Sequence, residues 1–152
     1  MKQNLELAEI AAAISTLLSN NGLGAIPTHS GFAVGEQIIP PLISLYFLPN
    51  GPKPFQMGDT TEKYFNRVIQ FDIYMESDEK VSLIIDILMD YLDTMALYIN
   101  DPMQNNAVVG SITCQNSDSI YGQIVTPNYE KPKVIRWRGI VRATLDIHYP
   151  ND

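Results

Sequence analysis

The chain has 152 residues, 45% apolar and 18% charged, and its 10 Lys and Arg against 17 Asp and Glu leave a net charge of −7. That length suits one domain over residues 1–152, large enough to build its own core. The acidic balance argues against general nucleic-acid binding, which needs positive surface, and a lone Cys excludes a disulfide framework or a multi-Cys zinc site. No apolar run approaches the roughly 18 residues of a membrane-spanning helix. Met1 to Glu9 carries acids where a signal peptide needs an apolar core, so an intracellular protein is expected.

In chain order, Leu7, Ile10, Ile14, Leu17 and Leu18 share one helical face, with Asn4 as candidate cap, Glu6 and Glu9 near the positive end and Asn20-Asn21-Gly22 as the stop. Leu23 to Pro40 has no period and reads as loop with at most one short strand. Leu42 to Phe47 reads as a strand. Pro49, Pro52 and Pro54 then open a long loop, since three prolines in six residues do not fit a sheet interior. Tyr64 to Tyr74 alternates, with Phe65, Ile69, Phe71 and Ile73 on one face and Asn66, Gln70 and Asp72 on a wet one. Ser77 and Asp78 cap a second helix predicted to reach Tyr98, with a stripe of Val81, Ile84, Ile85, Leu88, Tyr91, Leu92 and Met95. Strands are expected over Val108–Gln115 and Ser119–Val125.

The last segment, Val134 to Tyr149, alternates over sixteen residues. Fully extended it would span roughly 53 Å, against a diameter of roughly 38 Å for a compact chain of this length. The expectation is a bulge at Gly139 or a hairpin leaving the globule. The order predicts an α+β domain, with two helices on one face of a mainly antiparallel, twisted sheet and a long loop or hairpin extension.

The sequence offers little chemistry. His29 and His148 are far apart and lack a neighbouring Cys, so no metal is expected. Cys114 reads as a small buried hydrophobe. Gly22-Leu23-Gly24 follows a helix instead of opening one, and no phosphate-binding or nucleophile-elbow motif occurs. There is no positive case for an enzyme or a cofactor.

Charge segregation stands out more. From Val81 to Glu130 there are six acids and no Lys or Arg; from Lys131 to Tyr149 there are five bases against Asp146 alone. Asp86, Asp90 and Asp93 fall on one stripe of the second helix, and Arg136, Arg138 and Arg142 on one face of the last strand. Two solvated faces would explain this, and so would a head-to-tail contact between identical subunits. A third reading, the basic strand against a nucleic-acid backbone, has no aromatic interleaving on the arginine face to support stacking.

An amphipathic first helix, a strand, a Pro/Gly-rich loop, the strand Phe65-Asn66-Arg67-Val68-Ile69-Gln70-Phe71-Asp72-Ile73-Tyr74, a Ser/Asp/Glu-capped helix and a long final strand together resemble the tail terminator (tail completion) proteins of long-tailed bacteriophages. The resemblance implies a non-enzymatic virion protein of the tail-neck region, assembled in the host cytoplasm. It implies a hexameric ring that ends the tail tube and joins it to the head connector or head-completion protein. Membrane and sequence-specific nucleic acid are not expected partners. Another head-tail joining factor, a head-closure or tail-assembly protein, stays open. So does a small-molecule binder or enzyme, which a deep pocket enclosing Trp137 would favour.

Overall fold

The computed structural model describes residues 5–24, 26–31, 40–48, 55–56, 63–114, 120–128 and 136–150. The first helix, α1 (Leu5–Asn20), buries Leu7, Ile10, Ile14 and Leu18. It stops as its sequence predicts. Gly22 takes φ +74, its N–H bonds to the Ser19 carbonyl, and the Leu23 N–H reaches the Leu18 carbonyl at 2.7 Å. These two bonds satisfy carbonyls that the helix end would leave bare. Glu6 lies in the first turn, near the positive end as expected, but it is buried, close enough to the Tyr149 hydroxyl for its charge to act on it.

Among the described residues eight strands follow: β1 (Thr28–Ser30), β2 (Leu42–Phe47), β3 (Phe55–Gln56), β4 (Lys63–Met75), β5 (Ala96–Asp101), β6 (Ala107–Cys114), β7 (Tyr121–Asn128) and β8 (Arg136–Tyr149). The second helix, α2 (Asp78–Asp93), lies between β4 and β5. Ser77 caps it by accepting the Lys80 N–H, and Asp78 and Glu79 sit at its positive end. The helix is shorter than its periodicity predicts. Thr94 leaves helical geometry, and Leu97 to Asn100 enter a strand paired with β6.

The sheet is mostly antiparallel, so the fold is α+β. At its centre β4 and β8 pair without a register shift from Lys63–Tyr149 to Met75–Trp137. Broken strands flank this ribbon on both sides. Along β4, β2 pairs with Ile69–Tyr74 and β3 with Lys63 and Tyr64. Along β8, β6 pairs with Leu145–His148 and β7 with Arg136–Arg142. The long last strand is thus supported along its length, which is why it needs no bulge at Gly139. The long loop expected from Pro49 to Lys63 holds β3 and ends in the first residue of β4, and a second polar loop, expected over Pro127–Pro132, begins as the last two residues of β7; the rest of both lies outside the described residues.

Both helices cover one face. The apolar stripes of α1 and α2 form one cluster with Ile43, Leu45, Ile69, Phe71, Ile73, Ile99, Ile112, Val141, Ala143, Leu145 and Ile147. No described helix is long and apolar enough to cross a membrane. Gly139 has a packing role here. A Cβ at that position would lie 2.5 Å from Val81 Cγ1 and 3.0 Å from Ile85 Cδ1, so α2 rests directly on the backbone of β8. Gly139→Ala is expected to destabilise the fold by about 1–3 kcal/mol, as overpacking does, with Val81→Ala restoring part of the loss. Urea denaturation of the single and double variants measures this, and a neutral Gly139→Ala would mean that α2 is seated differently.

Candidate functional site

Antiparallel register maps the sheet face turned away from the helices row by row, because directly opposed residues share a face. Toward the start of β8 the rows read Leu42–Tyr74–Arg138, Ser44–Asp72–Ile140–Gln123 and Tyr46–Gln70–Arg142–Tyr121. The alternation is as the sequence predicts, but the face is not uniformly wet. Ser44, Gln70, Asp72 and Tyr74 are buried.

Buried polar atoms need partners, and here they find one another. The Asp72 carboxylate accepts from the Tyr46 hydroxyl at 2.7 Å, from Gln70 Nε2 at 2.8 Å and from Arg138 Nη2 at 3.0 Å. Gln70 Nε2 also donates to the Tyr46 oxygen at 2.7 Å, and Gln70 Oε1 accepts from Arg142 Nε at 2.6 Å. The Ser44 hydroxyl donates to the Gly31 carbonyl. Burial alone would ease the proton off Arg138, but the charge and hydrogen bond of Asp72 outweigh it and hold the guanidinium more firmly ionised.

The sequence-predicted residues therefore divide. Arg138 makes its ion pair within its own chain, with its side chain 34% exposed against 2% for Asp72. Arg142 is exposed. Gln70 holds its Nε, and its two Nη groups make no hydrogen bond to another described residue. The backbone of Arg136 pairs with β7, and its side chain lies outside the described residues. Asp86, Asp90 and Asp93 are exposed on the outward side of α2, none of them paired with another described residue. Because α2 covers the opposite sheet face, the acidic stripe and Arg142 lie on opposite sides of the sheet. Alternation along β4 puts Gln70 on the face of Asp72, but no local signal brings in Tyr46, which arrives from β2.

Elsewhere, a cleft of about 390 Å³ between the end of α1 and the start of α2 is walled by Leu23, Ile26, Pro41, Met75, Leu83 and Ile84, with Glu76 and Lys80 among its lining residues. Trp137 packs at the edge of the core and does not line it. His29 is exposed, and the Cys114 thiol points at the Thr144 carbonyl oxygen 3.6 Å away. Among the described residues no group of three His, Cys, Asp or Glu could hold a metal. No protein-family model matches the chain, and no curated protein matches it either.

Three tyrosines link this packing to pH. Burial, then the hydrogen bond to Asp72, pushes the Tyr46 hydroxyl well above its ordinary pKa of 10.0; burial and then the charge of Glu6 do the same for Tyr149, and burial raises Tyr91. Their raised values mean that the fold keeps these protons after the unfolded chain has lost them. The associated stability is complete below about pH 10 and falls as pH rises, by up to about 1.4 kcal/mol per pH unit for each tyrosine still protonated. Urea midpoints measured from pH 9 to 11.5 should fall steeply, and Tyr149→Phe should flatten the slope. An unchanged slope in that variant would contradict the assignment.

Proposed function

We propose that the chain is a structural subunit of a bacteriophage tail terminator, joining head to tail with copies of itself into a ring that ends the tail tube and meets the head connector. One observation carries this reading: unlike charged surfaces on opposite sides of the sheet, the Asp86/Asp90/Asp93 stripe on one and Arg142 on the other. A two-fold dimer would set each surface against its own copy. A head-to-tail contact sets acid against base and repeats around an axis until it closes. The guanidinium of Arg142 suits this task, because its planar fork can bind a carboxylate with two hydrogen bonds. Exposed pairs are worth only about 0–1 kcal/mol each, so they set register more than affinity. Apolar contact must add the rest. Leu83, 49% exposed, lies on the acidic side of α2, and Tyr121, 45% exposed, stands in the row of Arg142. The element order that resembles tail terminators supports the same reading.

Light scattering of the purified protein, followed by electron microscopy with and without tail tubes, tests it. The expected result is a ring that caps tubes, disrupted by Arg142→Glu and partly restored when Asp90→Lys is added. A wild type that stays monomeric at high concentration and never binds tubes overturns the proposal.

A further inference from the structure

At the other end of the same sheet face, four strands lay down one row: Tyr98 on β5, Ser111 on β6, His148 on β8 and Tyr64 on β4. The Tyr64 and His148 rings stack with centroids 3.9 Å apart and planes 3° from parallel, as side chains of one face should. Tyr98 is 69% exposed and Tyr64 50%. Among the described residues only the short Ser111 stands between Tyr98 and His148, so the two rings flank a slot two strand spacings wide, roughly 9–10 Å. The next row holds Thr113, Asp146 and Asn66.

The two ends of this face differ in kind. Around Asp72 the buried carboxylate, amide and phenol hydrogen-bond to one another and to two arginines. Here the side chains of Ser111, Thr113, Asp146 and Asn66 make no hydrogen bond or ion pair with another described residue. Unused donors and acceptors beside exposed rings fit a ligand with an apolar face and a hydroxylated edge.

We infer that this row is a binding surface for a neutral saccharide. A pyranose lays its C–H face on Tyr98 with its edge hydroxyls toward Ser111 and Thr113 on the adjoining strand, and the sugar units that follow it donate to the Asp146 carboxylate and bond with Asn66, two and three strands away. Charge selects among ligands. Asp146 is the one acid of these two rows, which contain no Lys or Arg, so a phosphate backbone would be repelled. A purely apolar side chain would strip water from Asp146 and return no hydrogen bond. A neutral sugar meets both conditions. The inference stands apart from the ring proposal, since none of its residues takes part in that contact.

Saturation-transfer NMR on the whole chain, with gluco-, chito- and galacto-hexasaccharides as probes, tests it. At least one probe should receive transfer. Its Kd should rise about tenfold, the weight of one good contact, in Tyr98→Ala and in Asp146→Ala, and hold in Tyr98→Trp. Thermal unfolding of Tyr98→Ala should match the wild type, because the ring is exposed. No transfer to any probe at millimolar concentration, binding indifferent to both alanine substitutions, or displacement of the sugar by a single-stranded dT oligonucleotide would each overturn it.

Discussion

Truncation of Leu88 to alanine is expected to remove about 2–5 kcal/mol of stability, the range for a buried leucine whose neighbours cannot collapse into the space. Leu88 has no exposed surface and sits in mid-helix on the stripe with which α2 covers the sheet. Its neighbours above and below on that stripe, Ile84, Ile85 and Leu92, are themselves buried, so little can relax inward. Domains are held by only about 5–15 kcal/mol, so this one side chain accounts for a large share. The thermal midpoint should drop by on the order of 10 °C. Leu83, on the other side of the same helix, is the control: its alanine variant should stay within about 0.5 kcal/mol. Equal losses at the two positions would mean that the helix is rotated about its axis.

Asp72→Ala is expected to cost nearly as much for a different reason. The carboxylate gathers three donors, from Tyr46, Gln70 and Arg138, and is itself buried. Its loss leaves a phenol, an amide and a guanidinium without their acceptor. Breaking a fully buried pair costs about 3–5 kcal/mol, and here the figure falls to about 2–3 kcal/mol because Arg138 can turn partly to solvent. Arg138 Nε is already shielded without a hydrogen-bond partner among the described residues, which adds to the sensitivity of the site. A double-mutant cycle with Arg138→Met should return a coupling of about 0.5–3 kcal/mol. Additive losses would show that Asp72 and Arg138 act independently. The same geometry dictates how the ring is tested. Arg138→Glu would set an acid against Asp72 and weaken the fold itself, so the assembly experiment reverses Arg142, whose fork is exposed.

Much of the fold is legible along the chain because it is local. The helical stripe of α1 and its Asn-Gly stop, the Ser77 cap and the alternation of β4 and β8 depend on residues within a turn or a pleat of one another, and each is found where its pattern places it. The end of α2 was not legible. Its apolar stripe continues through Met95, no Gly or Pro marks a stop, and only the ladder between Leu97–Asn100 and β6 turns those residues into a strand. The core face could likewise be assigned from alternation, and Phe71, Ile73, Ile84, Leu88, Leu92 and Val141 are all buried.

What the opposite sheet face does was a tertiary decision. Alternation along β4 shows that Gln70 and Asp72 share a face, but it says nothing of Tyr46 and Arg138, which arrive from two other strands. Their convergence turns a face expected to be wet into a buried, hydrogen-bonded cluster at one end. The arginines followed the same rule. Their sequence spacing places them on one face, yet only the partners brought by neighbouring strands separate Arg138, bound to Asp72, from Arg142, held by Gln70 and open outward. Composition and period determined which residues would be buried together with the helices. Which polar groups would meet was decided by strand order and register, because a polar contact depends on a few tenths of an ångström between segments distant in sequence, whereas apolar burial depends only on the side to which a residue points.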